Sequence, residues 1–157
     1  MYGNVDLNKF NKEVARPAAF AGGTTNARGD DGGTSDPKTL FTVTGDVLVR
    51  IFGVVTVDLV SAGAGTVSVG VTGNTAGLLA LETGTDLDAN GVYVSATQVA
   101  GTVAFSSVPG PFVIVNGLDI NEYIGTADVT AGNIYYICLW QALSEDGNVV
   151  AAGATGF

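Results

Sequence analysis

From Thr39 to Ala152 the chain breaks off about every dozen residues at a group of turn formers, and runs between the breaks in Val, Thr, Ile and Leu. Ala62-Gly63-Ala64-Gly65, Gly73-Asn74, Asp88-Ala89-Asn90-Gly91, Asn116-Gly117 and Asp146-Gly147-Asn148 are such breaks. A helix needs a longer uninterrupted stretch with a 3.6-residue period, so short strands joined by tight turns are what this spacing allows. The 23 Gly and the low share of charged residues, 13%, fit the same class. The pattern predicts an all-β chain of about nine short strands, folded as a β-sandwich of jelly-roll type.

Two segments say more. Val47–Leu59 places Val47, Val49, Ile51, Val55, Val57 and Leu59 on one face, with Leu48, Phe52 and Val54 on the other. Gly53 at its middle predicts a bulge or a close backbone approach. Ile134–Leu143 is apolar on both faces in the same way. A two-layer sandwich covers one face of each sheet, so a second apolar face requires its own cover. Leu48, Phe52 and Val54 are therefore expected at an oligomer interface, with a loop folded over the sheet as the simpler alternative.

Residues 1–37 differ in character from residues 38–157. They begin with scattered apolar positions (Val5, Leu7, Phe10, Val14, Phe20) and continue into a Gly/Thr/Asp-rich stretch with little to bury. The expectation is an extended N-terminal arm and tether over 1–37 and the sandwich domain over 38–157. Leu7, Phe10 and Val14 suit a short helical turn that Pro17 stops. Lys9, Phe10, Lys12, Arg16 and Phe20 are the residues with which such an arm would grip a partner. The first residues lack an apolar stretch between a basic start and a cleavage site, so no secretory signal is expected.

Charge removes many functions. All six basic residues lie at or before Arg50, His is absent, and the net charge is −9. Residues 51–157, without Lys or Arg, repel phosphates, so neither nucleic acid nor an anionic membrane is an expected partner. Without imidazole, Ser and Thr lack their usual activating base, and Cys138 in an apolar run reads as a buried small hydrophobe. Glu82, Glu122 and Glu145 are the carboxylates that could pair for glycoside chemistry, but a single Trp offers a sugar little platform. Gly70–Gly77 has no Lys and reads as a turn, not a phosphate loop. Arg28-Gly29-Asp30 spells an adhesion tripeptide and reads as an ordinary turn. Asp86-Leu87-Asp88-Ala89-Asn90-Gly91 matches the start of a calcium loop, with Asp86, Asp88 and Asn90 as ligands. Position twelve is Thr97 instead of Glu, so an Asx-rich turn is the alternative, and no other cofactor is expected. No enzymatic activity is expected.

At TLFTVTGDVLVRIFGVVTVDL (39–59), VGVTGNTAGLLALETGTDLDANGVYV (69–94) and IGTADVTAGNIYYICLWQALSEDGNVVAA (124–152) the chain resembles small β-rich structural proteins of tailed bacteriophages. The resemblance lies in Val/Thr strands, Gly-Asn and Asp-Gly turns and scarce Lys and Arg. It implies a virion protein of the capsid decoration, or cement, type. Such a protein sits on the outer surface of the head, contacts the major capsid protein and forms a homotrimer. The alternative is a receptor- or carbohydrate-binding module of a tail or head spike, for which Tyr93 and Tyr123 would supply the exposed rings.

Overall fold

The computed structural model describes residues 10–32, 37–95 and 98–153. Eleven strands are found among them, in two antiparallel sheets packed face to face. Sheet A has the order β1-β10-β3-β6-β7, with β8 also paired to β3; these are Lys12–Ala19, Val129–Ala142, Val47–Ser61, Gly91–Tyr93, Gln98–Ala100 and Phe112–Ile114. Sheet B has the order β11-β2-β9-β4-β5, formed by Asn148–Ala151, Lys38–Thr44, Ile120–Gly125, Thr66–Val71 and Asn74–Thr83. With six and five strands the sheets exceed the eight of a simple jelly roll, so β-sandwich is the fitting term. No helix among the described residues is long and apolar enough to cross a membrane.

The two longest strands, β3 and β10, run side by side at the centre of sheet A. Their inward faces alternate as the period of two requires: Val47, Val49, Ile51 and Val55 on one, Ile134, Tyr136, Cys138 and Trp140 on the other, all buried. Leu40, Phe41, Val43, Val67, Val69, Ile120 and Ile124 of sheet B close the core from the opposite side. Leu87, in the turn after β5, is fully buried in the same cluster. Gly53 is the close approach expected of it. It lies in register between Tyr136 of β10 and Tyr93 of β6, and a Cβ there would stand 2.7 Å from Ile134 Cγ2. Asn116 and Gly117 both take positive φ, 57° and 65°, as a tight turn of primed type demands.

The N-terminal arm is corrected by the structure. Lys12–Ala19 is a strand, not a helical turn, and pairs along its whole length with β10, from Lys12 opposite Trp140 to Ala19 opposite Asn133. Pro17 is accommodated because β1 is the edge of the sheet and one side of its backbone is unpaired. Ala18 and Phe20 are buried in the core. The segment that follows is tied down by Gly22 N donating to Val129 O (3.0 Å) and Val129 N donating to Gly29 O (2.8 Å). The sandwich therefore begins at β1, and the boundary expected at residue 37 falls inside it. Downstream of β7 the chain forms a 3-10 turn at Phe105–Ser107.

Candidate functional site

Sheet A has an outer face that the second sheet does not cover. Across it, Pro17, Tyr135 and Val54 stand in register, continued by Val92 and Val99; Ala15, Ile137 and Phe52 form the next row. These side chains are half-buried or exposed, and Tyr135 is 40% exposed. The outer side of sheet B is of another kind. Thr39, Ser68 and Asn121 lie there, with Thr39 Oγ1 donating to Asn121 Oδ1 (2.9 Å) and Ser68 Oγ to Thr75 O (3.0 Å). An apolar sheet face open to water is the feature that most invites a partner.

A loop bounds that face at one end. Arg50, on the outer face of β3, donates from Nη1 to Phe105 O (3.2 Å) and from Nη2 to Gly110 O (3.1 Å), and its guanidinium lies 4.9 Å from the centroid of the Phe105 ring. Leu48, Val94 and Val108 are buried, yet none belongs to the cluster between the sheets, as expected if the Arg50-tethered segment covers them. Of the three residues expected at an oligomer interface, Leu48 is thus withdrawn from the surface, the outcome foreseen by the loop alternative. Phe52 and Val54 remain half-exposed.

Inside the sandwich lies a polar centre. Glu122 of β9, between Ile120 and Ile124 on the inward face, is fully buried and accepts a 2.6 Å hydrogen bond from Arg28 Nη1. Tyr136 lies beside it, although neither the Tyr136 hydroxyl nor Glu122 Oε2 makes a hydrogen bond of good geometry. Burial raises the Glu122 carboxyl above the usual carboxylate range, against the opposing pull of Arg28, Tyr136 and Arg16. Burial likewise raises Glu82. Tyr93 directs its hydroxyl at Val67 O (3.0 Å) and Ala80 O (2.6 Å), and burial together with the two glutamates pushes it well above the ordinary tyrosine value. Arg16 reaches Gly153 O (3.4 Å), and burial lowers its basicity. This centre is enclosed, and its one strong contact ties the 20–32 segment to sheet B. It acts as an internal fastening.

The remaining expected residues fall apart spatially. Asp86, Asp88 and Asn90 are exposed around the inward-turned Leu87. Their loop is held by Ala89 N donating to Asp58 Oδ1 (2.7 Å), Asn90 N to Val55 O (2.9 Å) and Asp88 N to Gln98 Oε1 (2.6 Å). Among the described residues, Asp30, Asp31 and Asp128 come together in an acidic cluster, which residue spacing could not reveal. Two of its carboxylates already accept backbone amides, Asp30 from Asn26 (2.9 Å) and Asp128 from Asp31 (2.8 Å). Of the grip residues, Lys9 lies outside the described residues. Lys12 Nζ sits 4.3 Å from the centroid of the Trp140 ring, Phe10 is half-buried, and Phe20 is buried in the chain's own core. Arg28 of the adhesion tripeptide turns inward to Glu122. Tyr93 and Tyr123 are both buried, so neither is the exposed ring expected of it. Glu145 is exposed, whereas Glu82 and Glu122 are buried. Cys138 is buried and its thiol is pushed up to about 12 by desolvation. Compared with known protein families, curated proteins and solved structures, the chain has no match in any of the three.

Proposed function

We propose that this chain is a structural subunit of a tailed-bacteriophage particle, of the capsid decoration type. It binds the outer surface of the head, contacts the major capsid protein and stabilises the shell by bridging subunits, without turnover of a substrate. The observation that carries the reading is the open apolar face of sheet A, five strands wide, on an otherwise acidic body. Contacts of that kind gain from burial of apolar surface, while the net charge of −9 keeps loaded particles apart in solution. The resemblance of the Val/Thr strand segments to small phage structural proteins points the same way. The grip is assigned to Phe52, Val54, Tyr135 and Ile137, because β1 is occupied with β10.

The rival reading, a carbohydrate-binding module, has both candidate rings buried, Tyr93 in the cluster between the sheets and Tyr123 outside it. The test uses phage heads lacking this protein, mixed with the purified full chain and sedimented. Saturable co-sedimentation, with DNA release shifted to a higher temperature, is expected. Heads that neither retain the protein nor gain heat resistance overturn the reading.

A further inference from the structure

We infer that the edge of the sandwich where β8 faces β5 takes an aromatic side chain of another protein, from a segment that carries Lys or Arg beside that ring. The inference goes beyond the proposed function. It uses other residues, along the seam between the sheets and not on the open face of sheet A.

The socket comes first. β8 is an edge strand paired to β3 alone, and β5 is the last strand of sheet B. Between these two edges the core reaches the surface. Val71, Leu78, Phe112, Ile114, Val115 and Leu118 line a hollow of about 150 Å³ there. Leu78 and Ile114 belong to the core cluster, and Val71 and Phe112 pack against it. At the rim, Val113, Val115 and Leu118 are 60%, 45% and 39% exposed, three large apolar side chains in water within six positions. A hollow of about 150 Å³ walled by Leu, Ile and Phe is the size that holds one benzene ring. Phe112 in the wall adds ring-to-ring contact with such a guest.

Charge then selects the guest. Asn116, next in the chain to Val115, lines a second hollow of about 410 Å³ together with Gly45, Asp46, Ser144 and Asp146. Successive Cα atoms are only about 3.8 Å apart, so the two hollows share a wall. Asp46 Oδ1 accepts from Asn116 N (3.0 Å) and Asp146 Oδ1 from Ser144 Oγ (2.6 Å), and these neutral donors leave the carboxylate charge in place. Asp119 follows Leu118, and no Lys or Arg is among the described residues that line either hollow. An apolar socket with carboxylates on one side accepts a ring flanked by a cation and rejects one flanked by an acid.

A second copy of this chain is a poor guest by the same reasoning. It carries a charge of −9, and its described cations, Lys12, Arg16, Arg28, Lys38 and Arg50, each have a contact within their own chain. The partner is therefore a different protein, with ring and cation one or two positions apart to match the spacing of the hollows.

The test titrates the full chain with a blocked peptide, acetyl-lysine-phenylalanine-lysine amide, and follows backbone amide resonances. Saturable shifts confined to 45–46, 71–78, 112–119 and 144–146 are expected, with a dissociation constant of about 1 mM or lower. Analogues with glutamate in place of both lysines, or glycine in place of phenylalanine, should each bind about tenfold more weakly or not at all. Added salt should weaken the first peptide several-fold, since its charge contacts lie at the surface. Val113→Lys sets a cation at the mouth of the socket on a side chain already 60% exposed, so the fold is kept, and should weaken binding about tenfold. Asp146→Asn should weaken it several-fold and reduce the salt dependence. Val150→Lys, on the outer side of sheet B, should change nothing. Absence of saturation, shifts elsewhere, equal binding of either analogue, or indifference to Val113→Lys overturns the inference. A two-chain mass that Val113→Lys abolishes would give the socket to a second copy and overturns it as well. The head assay reads separately, since neither outcome there bears on the peptide, nor the peptide on the heads.

Discussion

Arg28 and Glu122, 94 positions apart, meet at 2.6 Å where sheet B faces the segment after β1. The glutamate side chain is wholly buried and the arginine nearly so. Removing either partner leaves a charge or a carboxyl without its counterpart in a dry interior. Arg28→Met or Glu122→Leu alone should cost about 3–5 kcal/mol of unfolding free energy, and the double variant much less than the sum. Urea denaturation of the three variants checks this, and strict additivity would refute a coupled pair.

Acidity should help this protein before it harms it. Burial raises the Glu122 and Glu82 carboxyls, so the folded state holds protons that the open chain has released. Their contribution is present at the acid end, below the ordinary carboxylate range, and is lost as pH rises through their raised values. Melting temperature should therefore decline as pH rises above the ordinary carboxylate range, and Glu122→Gln should flatten the slope. A melting temperature that climbs instead contradicts the assignment.

Gly53 has no room for a side chain between Tyr93 and Tyr136. A methyl group there would meet Ile134 Cγ2 at 2.7 Å in a packed core. Gly53→Ala should destabilise by about 1–3 kcal/mol through overpacking, despite the better strand propensity of alanine. Thermal or urea unfolding measures it.

Cys138 should be silent. Its thiol, pushed up to about 12 in the core, is protonated and inaccessible. An aromatic disulfide reagent should label the native chain only at the rate of unfolding and label it at once in denaturant. Rapid labelling under native conditions would place the thiol at the surface.

Arg50 should govern the loop beside the sheet face. Arg50→Met removes two hydrogen bonds to the Phe105 and Gly110 carbonyls and the contact with the Phe105 ring. Limited proteolysis should then cut within 101–111 several times faster, with a loss of about 1–2 kcal/mol in stability.

Much of the fold was legible from residues alone, for local reasons. β3 and β10 stand out because alternation is clean where a strand spans the whole core. β1 escaped notice because its inward positions are Val14, Arg16 and Ala18, and an arginine among them breaks the apolar period. Its strand character comes from β10, not from itself. Glu122 carried a usable signal, the run Ile120-Glu122-Ile124 on alternate positions, which points a carboxylate inward. Its partner Arg28 carried none, because a loop residue 94 positions away has no periodicity to betray it. The open face was half visible: alternation showed that Leu48, Phe52 and Val54 needed cover, but only the fold tells which of them a loop supplies.

The pairing of Val14 with Cys138 joins strands about 120 positions apart. A ribosome must emit β10 before β1 has a place to go, so this edge of the sheet closes late and β1 waits unpaired. During that wait the edge of β10 can accept β1 from any nearby nascent copy as readily as its own. At high expression, strand-exchanged pairs are the natural by-product of this topology.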